Sequence, residues 1–244
     1  MLSQYWQSSK APRYSLLFAL PLLILYQVLA TLAPAGPNGM GVRNGADVIL
    51  QSAFIWVAGA WGPRLFMLCI IAIGAWLIAR DVRSHRGQLR LSILGGMFIE
   101  SLCLSLVFGI VVGGLTAALL GGPPPMVVGL PQSTLGRSTL LMLSLGAGIY
   151  EELLFRVVLV GLIAWTGHKV LGWRPLVAGI VATVLGALIF SAFHYIGPYG
   201  DRLDVYSFVF RAIAGLFFSG LYLLRGFGIT AWTHALYDVF LLLR

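Results

Sequence analysis

Charged side chains are scarce in this chain. Lysine and arginine account for 16 of its 244 residues and aspartate and glutamate for 8, whereas 59% of the residues are hydrophobic. A soluble domain cannot bury that much apolar surface, but a protein with many membrane spans exposes it to lipid. The composition therefore predicts a polytopic membrane protein that contacts the lipid bilayer along its spans.

Cysteine is almost absent as well. Cys69 and Cys103 both lie in apolar runs, so the sequence offers neither a disulfide framework nor a C-x-x-C metal site. The net charge of +8 is compatible with nucleic-acid binding. However, the basic residues lie in short loops between apolar runs, which is typical of an inner-membrane protein. We therefore expect no nucleic-acid partner.

Apolar stretches long enough to cross a bilayer recur along the whole chain. Stretch 46–61 is only moderately apolar and is difficult to classify, and residues 121–137, with Pro123-Pro124-Pro125, are predicted to form a loop. The confident spans are residues 14–33, 65–79, 91–120, 138–165, 175–196, 207–224 and 228–243. The sequence thus predicts an all-α, polytopic transmembrane helical bundle of seven or eight spans.

The distribution of lysine and arginine predicts the orientation. If the N-terminus is cytoplasmic and stretch 46–61 does not cross, the basic loop 80–90 is cytoplasmic too, as are Lys169, Arg174 and Arg225. This favours the seven-span version. The chain's size, and the lack of a recognisable organelle signal, predict a multi-pass protein of a prokaryotic cytoplasmic (inner) membrane.

Several charged residues nevertheless fall inside the spans. Each costs about 2.5–3.5 kcal/mol near the bilayer centre, so they are expected to face a packed interior or a wet cavity. Glu152 and Arg156 have the i,i+4 spacing of a helical ion pair, which leaves Glu151 free to face such a cavity. Glu100 and Arg211 are interpreted as an ion pair between helices.

Two later spans carry histidines with the same spacing. Phe190 precedes His194 by four residues, and His234 precedes Asp238 by four. Together with Glu151, three helices each bring a titratable group. A glutamate and two histidines can activate water, either by general base catalysis or through a metal ion.

The sequences of these three helices resemble the motifs of a known family, in the family's order: Glu151-Glu152-x-x-x-Arg156, Phe190-x-x-x-His194 and His234-x-x-x-Asp238. This is the CAAX protease and bacteriocin-processing family (CPBP, or Abi) of intramembrane endopeptidases, which includes the CAAX prenyl endopeptidases of the Ras-converting type. The resemblance implies an intramembrane catalytic cavity. It predicts a catalytic transmembrane core over residues 138–244, preceded by N-terminal transmembrane helices of unassigned role over residues 1–137.

The resemblance also implies roles for the motif residues. Glu151 would activate water together with His194, while His234 and the last motif residue would hold the oxyanion, with Glu152, Arg156 and Phe190 in support. The family commonly has asparagine at the last position, where this chain has Asp238. A carboxylate donates no hydrogen bond unless it is protonated. Asp238 is therefore expected either to orient His234 and favour its imidazolium, or to ligate a metal ion.

The residues of this set leave open whether a metal ion takes part. Members of the family have been described both as glutamic proteases and as metalloproteases. Glu151, His194 and His234 with an open position would suit a catalytic zinc ion. Because neither histidine lies on the Glu151 helix and no H-E-x-x-H occurs, we favour catalysis without a metal and keep zinc as the alternative.

The expected function is hydrolysis of a peptide bond in a membrane-delivered protein or peptide. Candidate substrates include chains that are lipidated or anchored at their C-terminus. Two other classes stay open: a non-catalytic bacteriocin-immunity or scaffold protein, and a proton-coupled transporter in which buried acids and histidines relay protons. Against a transporter, the two halves of the chain show no matching pair of Gly/Pro-broken spans.

Overall fold

The computed structural model describes residues 2–33, 41–84, 89–121, 135–197 and 200–243. All regular elements within these ranges are helices, which confirms the predicted all-α class. Most of the loop predicted at residues 121–137, including Pro123-Pro124-Pro125, lies outside the described residues, as does part of the basic loop 80–90.

The described chain forms ten α-helices with π-helical segments between the sixth and the seventh. They are α1 (Leu2–Lys10), α2 (Pro12–Leu32), α3 (Gly45–Ala58), α4 (Gly62–Ser84), α5 (Leu91–Leu120), α6 (Arg137–Gly146), the π-helical segments Ala147–Glu151 and Leu153–Val160, α7 (Gly161–Lys169), α8 (Pro175–Phe193), α9 (Val205–Arg225) and α10 (Phe227–Leu242).

Five helical stretches in the described part of the chain are long and apolar enough to cross a membrane. They are Pro12–Leu32, Gly45–Ser84, Leu91–Leu120, Pro175–Phe193 and Val205–Arg225. The predicted spans 138–165 and 228–243 are also helical, but the first is divided by the π-helical segments and α10 has only 16 residues. The protein is thus an integral membrane protein built as a helical bundle.

Stretch 46–61, which the sequence left open, forms the first arm of a helical hairpin with α4. At 1.5 Å per residue the 14 residues of α3 are about 21 Å long, shorter than the ~30 Å hydrocarbon core. The turn uses Gly59, whose φ is +55°, and packs Gly62 so closely that an added Cβ would lie 2.5 Å from the backbone nitrogen of Ile55. Beside this turn the Phe54 and Phe66 rings are 5.4 Å apart.

Polar contacts at one end of the bundle, here called the Arg13 end, fix the helix directions. Arg13 Nε, at the start of α2, lies 3.5 Å from a carboxylate oxygen of Asp81, near the end of α4. Tyr14 accepts a hydrogen bond from the backbone N–H of Arg90, just before α5. Therefore α2 and α4 run in opposite directions, as they would if α3 did not cross the membrane. This is the arrangement of helix directions that the seven-span interpretation requires.

The predicted ion pair between Glu100 and Arg211 is wrong. Glu100, on α5, pairs with Arg225 at 2.5 Å and accepts a hydrogen bond from Tyr5, whose pKa is raised by burial and by this bond. Arg211 instead pairs with Asp201. The reason is geometric. Helix α9 ends at the Arg13 end, where Arg225 lies beside Glu100, whereas Arg211 precedes Arg225 by 14 residues and is therefore about 21 Å away along the helix.

Candidate active site

Glu151 and His194 face each other across the candidate active site. Glu151 Oε2 lies 3.9 Å from His194 Nε2. This carboxylate oxygen is buried and accepts no hydrogen bond from the described residues. The Glu151 side chain is 9% exposed and the His194 side chain 25%, so the pair lies at a boundary between the packed interior and accessible space. The structure thus brings together the two residues expected to activate water.

The tautomer of His194 follows from its position just after the end of α8. Its Nδ1 lies 2.9 Å from the backbone carbonyl oxygen of Phe190, one helical turn earlier. Because a carbonyl oxygen only accepts, Nδ1 carries the hydrogen. In the neutral ring the other nitrogen, Nε2, is then a lone-pair acceptor, and this is the nitrogen that faces Glu151.

Glu152 joins two of the predicted site residues. Its Oε1 lies 2.7 Å from Nδ1 of His234, and its Oε2 lies 3.1 Å from Nε of Arg156. The other ring nitrogen of His234, Nε2, lies 3.8 Å from Asp238. The carboxylate that orients His234 by a hydrogen bond is therefore Glu152, a role that the sequence analysis gave only to Asp238.

Arg156 is buried between aromatic rings. Its guanidinium carbon lies 4.4 Å from the ring centre of Phe190 and 5.5 Å from that of Phe218. The guanidinium nitrogens donate no hydrogen bond within the described part of the chain. One ion pair and two ring faces therefore hold this charge, as expected for a desolvated cation–π contact.

Phe190 connects the two histidines. Its ring centre lies 4.9 Å from that of His194 and 6.2 Å from that of His234, both in edge-on geometry. Phe218 stacks on His234, with ring centres 4.4 Å apart. Sequence reasoning did not find Phe218, because it belongs to no motif and lies in a helix rich in phenylalanine.

A close approach of two backbones places the glutamates beside His234. A Cβ added at Gly148 would lie 2.4 Å from the carbonyl oxygen of Ala231 on α10. Gly148 precedes Glu151 by three residues and Ala231 precedes His234 by three. The helix is π-helical here rather than α-helical as assumed from the sequence. Such wide turns are rare in proteins overall, but those that occur often lie at functional sites.

Asn44, just before α3, also reaches the site and was not found from the sequence. Its side-chain nitrogen donates to Glu151 Oε1 at 2.9 Å. Gly146 makes room for it, since an added Cβ there would lie 2.7 Å from the Cβ of Asn44. The only local signal is the stretch Gly-Val-Arg-Asn-Gly, residues 41–45, which contains Asn44 and indicates a helix cap rather than a site.

The predicted zinc ligands Glu151, His194 and His234 lie on, or directly after, three separate helices. Among the residues that the structure describes, no three His, Cys, Asp or Glu side chains are placed to hold one metal ion. Each histidine uses Nδ1 in a hydrogen bond, while Nε2 of His194 faces Glu151 and that of His234 faces Asp238. Zinc stays the alternative that the sequence analysis kept, and we derive no step through a metal ion.

Comparison with known protein families matches residues 134–240 to one family, described as type II CAAX prenyl endopeptidase Rce1-like. The matched segment contains all three motifs. No curated protein and no solved structure matches the chain. Over residues 134–240 the chain is similar to the Rce1-like family of CAAX prenyl endopeptidases, which supports the resemblance that its three motifs indicated.

Proposed function

We propose that the protein is an intramembrane endopeptidase in which Glu151, together with His194, activates the water that hydrolyses a peptide bond of a membrane-delivered substrate. The observation that carries the proposal is the pair of acceptors 3.9 Å apart, Glu151 Oε2 and His194 Nε2. One water molecule that donates a hydrogen to each acceptor turns its oxygen lone pair away from both. That lone pair is then directed at the carbonyl carbon of a substrate bound next to the two acceptors.

The proton balance follows from the same geometry. As the water oxygen attacks the carbonyl carbon, its proton passes to the carboxylate of Glu151, the general base. The tetrahedral intermediate collapses when the same proton is delivered to the leaving amine nitrogen. Glu151 returns to its ionised state, and His194 orients the water throughout through its fixed tautomer.

His234 is proposed to stabilise the oxyanion of the intermediate. Its Nδ1 is engaged by Glu152, so the group available to the substrate is Nε2, which donates a hydrogen bond when the ring is an imidazolium. Glu152 on one side and Asp238 on the other place two carboxylates around this ring, an arrangement that favours its charged form. Asp238 thus acts through His234 rather than by donating a bond itself.

The substrate class is proposed from the family and from the position of the site. Because the base Glu151 is buried between membrane-spanning helices, we expect it to act on peptide bonds of substrates that are themselves held in or at the membrane. Proteins or peptides with a lipidated or anchored C-terminus meet this condition, and the family's description as prenyl endopeptidases makes a farnesylated C-terminal CAAX peptide the first probe.

The proposal is tested with purified protein in detergent. Wild type and Glu151→Ala are incubated with a farnesylated CAAX peptide, the same peptide without farnesyl, and a peptide carrying an apolar anchor, each with and without a strong zinc chelator. Glutamate catalysis is supported if the wild type cleaves a peptide, Glu151→Ala does not, and the chelator leaves the wild-type cleavage rate unchanged. Cleavage abolished by the chelator and restored by zinc would support the metal alternative, while a wild type that cleaves nothing would favour a non-catalytic role.

A further inference from the structure

We propose that Asn44 is a positioning residue for Glu151. Its side-chain amide holds one oxygen of the carboxylate and thereby turns the other oxygen toward His194. The inference rests on the proposed function, in which Glu151 activates water. It adds to the site a residue that lies outside the matched segment 134–240 and outside every motif.

The orientation of the Asn44 amide is fixed by its hydrogen bonds. Its Oδ1 accepts from the backbone N–H of Ala46 at 2.9 Å, and its Nδ2 donates to Glu151 Oε1 at 2.9 Å. A backbone N–H only donates and a carboxylate only accepts, so exchanging the two amide atoms would break both bonds. Asn44 is 5% exposed and Glu151 7%, which leaves little room for water to replace either bond.

A second layer of contacts holds the backbone of Asn44. Its N–H donates to the hydroxyl of Tyr26 at 3.1 Å, and that hydroxyl donates to Asp47 at 2.7 Å. The fully buried Asp47 also accepts from Arg43 at 2.8 Å and from Gln51 at 2.6 Å. The segment before α3 is thus fastened to α2, in the way that outer hydrogen bonds keep a functional side chain in place.

The chemical consequence concerns which carboxylate oxygen acts. Glu151 Oε1 is occupied by Asn44, whereas Oε2 has no hydrogen-bond donor among the described residues and faces His194 Nε2. Only Oε2 is therefore free to accept a hydrogen bond from the attacking water. Without the amide, rotation about the last side-chain torsion would let the carboxylate leave the orientation that the attack requires.

Asn44 also caps α3, so the test must separate capping from positioning. Aspartate caps helices as well as asparagine does, but ionised aspartate cannot donate to Glu151. Asn44→Asp therefore keeps the cap and removes the positioning bond. Asn44→Ser keeps a capping oxygen on a shorter side chain and serves if Asn44→Asp folds poorly. Ser52→Ala is the matched control, because Ser52 lies further along α3 and its hydroxyl donates a hydrogen bond to the carbonyl of Val48.

The kinetic arm measures kcat and KM for the peptide that the wild type cleaves. We expect Asn44→Asp and Asn44→Ser to lower kcat at least 10-fold with KM within twofold, and Ser52→Ala to behave as wild type. A kcat within twofold of wild type in both Asn44 variants, with Glu151→Gln inactive, overturns this inference alone. An active Glu151→Gln overturns the proposed function and this inference with it.

The thermal arm needs no activity. Asn44→Asp places two carboxylates in contact. In the double variant with Glu151→Gln, the amide is at position 151 and the carboxylate at position 44, so the pair again has one donor and one acceptor. We expect the melting temperature to fall in Asn44→Asp and to recover by at least half of that fall in the double variant. A double variant no more stable than Asn44→Asp would show that the two side chains do not share this bond and would overturn the inference.

Discussion

Glu152 is bonded to His234 at 2.7 Å, while Glu151, the residue before it, faces His194 at 3.9 Å. Two adjacent carboxylates thus serve two histidines that come from different helices. Nδ1 of each ring is occupied, by a carbonyl oxygen in one ring and by a carboxylate in the other, so each presents Nε2. A hydrogen bond at one ring nitrogen fixes what the other offers, as it does for histidines in metal sites.

Arg156 is predicted to be required for folding as a guanidinium and not merely as a positive charge. Arg156→Ala strands buried Glu152, at a cost of about 3–5 kcal/mol. Arg156→Lys keeps the charge but loses the planar contact with Phe190. We expect Arg156→Ala to give little folded protein and Arg156→Lys to lower the melting temperature clearly in detergent.

The control for Arg156 is Arg174→Ala, which removes an exposed arginine at the start of α8. It should melt as wild type does. If Arg156→Ala also melted within a degree or two of wild type, the buried ion pair and the two ring contacts would not support the fold.

Gly148 is predicted to set the distance between the glutamates and His234. Gly148→Ala would force a Cβ to 2.4 Å from the carbonyl oxygen of Ala231, so α10 must move. Because an error of about 1 Å at a catalytic group costs on the order of 100-fold in rate, we expect Gly148→Ala to lose most of its cleavage activity.

The matched control is Gly161→Ala, which should remain active. Gly161 begins α7, directly after the π-helical segments, and its added Cβ would meet no neighbouring atom within 4 Å. Both proteins are compared by cleavage rate and by circular dichroism. Equal rates in the two variants would mean that the close approach at Gly148 is not needed for the site.

The helices and the three motifs were predictable from the sequence because apolar run length and i,i+4 spacing are local properties. The pairings between distant elements were not. Glu100 was assigned to Arg211 because both are charges in spans, but only the antiparallel packing of α5 and α9 shows that Arg225 lies opposite it. Asn44 was missed for the same reason, since nothing near it in sequence indicates a neighbour 107 residues away.

The π-helical turns at Glu151 could not be predicted either. The residues around them have ordinary helix propensities, and the close packing of Gly148 on Ala231, a tertiary contact, accompanies the wider turn. The hydrogen bond between Glu152 and His234 was not predicted either. The i,i+4 spacing already gave Glu152 a partner in Arg156, and nothing in the sequence indicated a second partner on another helix.

Asp238 is predicted to tolerate the asparagine common in the family. An amide has the same shape, and it can donate a hydrogen bond where the carboxylate acts through His234, 3.8 Å away. We expect Asp238→Asn to keep kcat within about 10-fold of wild type and Asp238→Leu, similar in size but apolar, to lose about 100-fold or more. Equal losses in both variants would show that the negative charge itself is needed.

The predicted orientation places the Arg13 end in the cytoplasm and the loop after His194 outside. Leu203, which is 75% exposed in that loop, and Ser84, at the opposite end of the bundle, are suitable positions for single cysteines in a protein lacking Cys69 and Cys103. We expect a membrane-impermeant maleimide to label Leu203→Cys in intact cells and Ser84→Cys only after permeabilisation. The reverse pattern would place the site mouth on the cytoplasmic side.

The general base is tested most directly by the cleavage rate of purified Glu151→Gln. The glutamine keeps the size of the side chain and still accepts from Asn44, but it cannot take a proton from water. With folding checked by circular dichroism and by the melting temperature, we predict a kcat at least 1,000-fold below wild type, within the range that general base catalysis supplies. A folded Glu151→Gln protein that retains more than a few per cent of wild-type activity would contradict the role of Glu151 as the base.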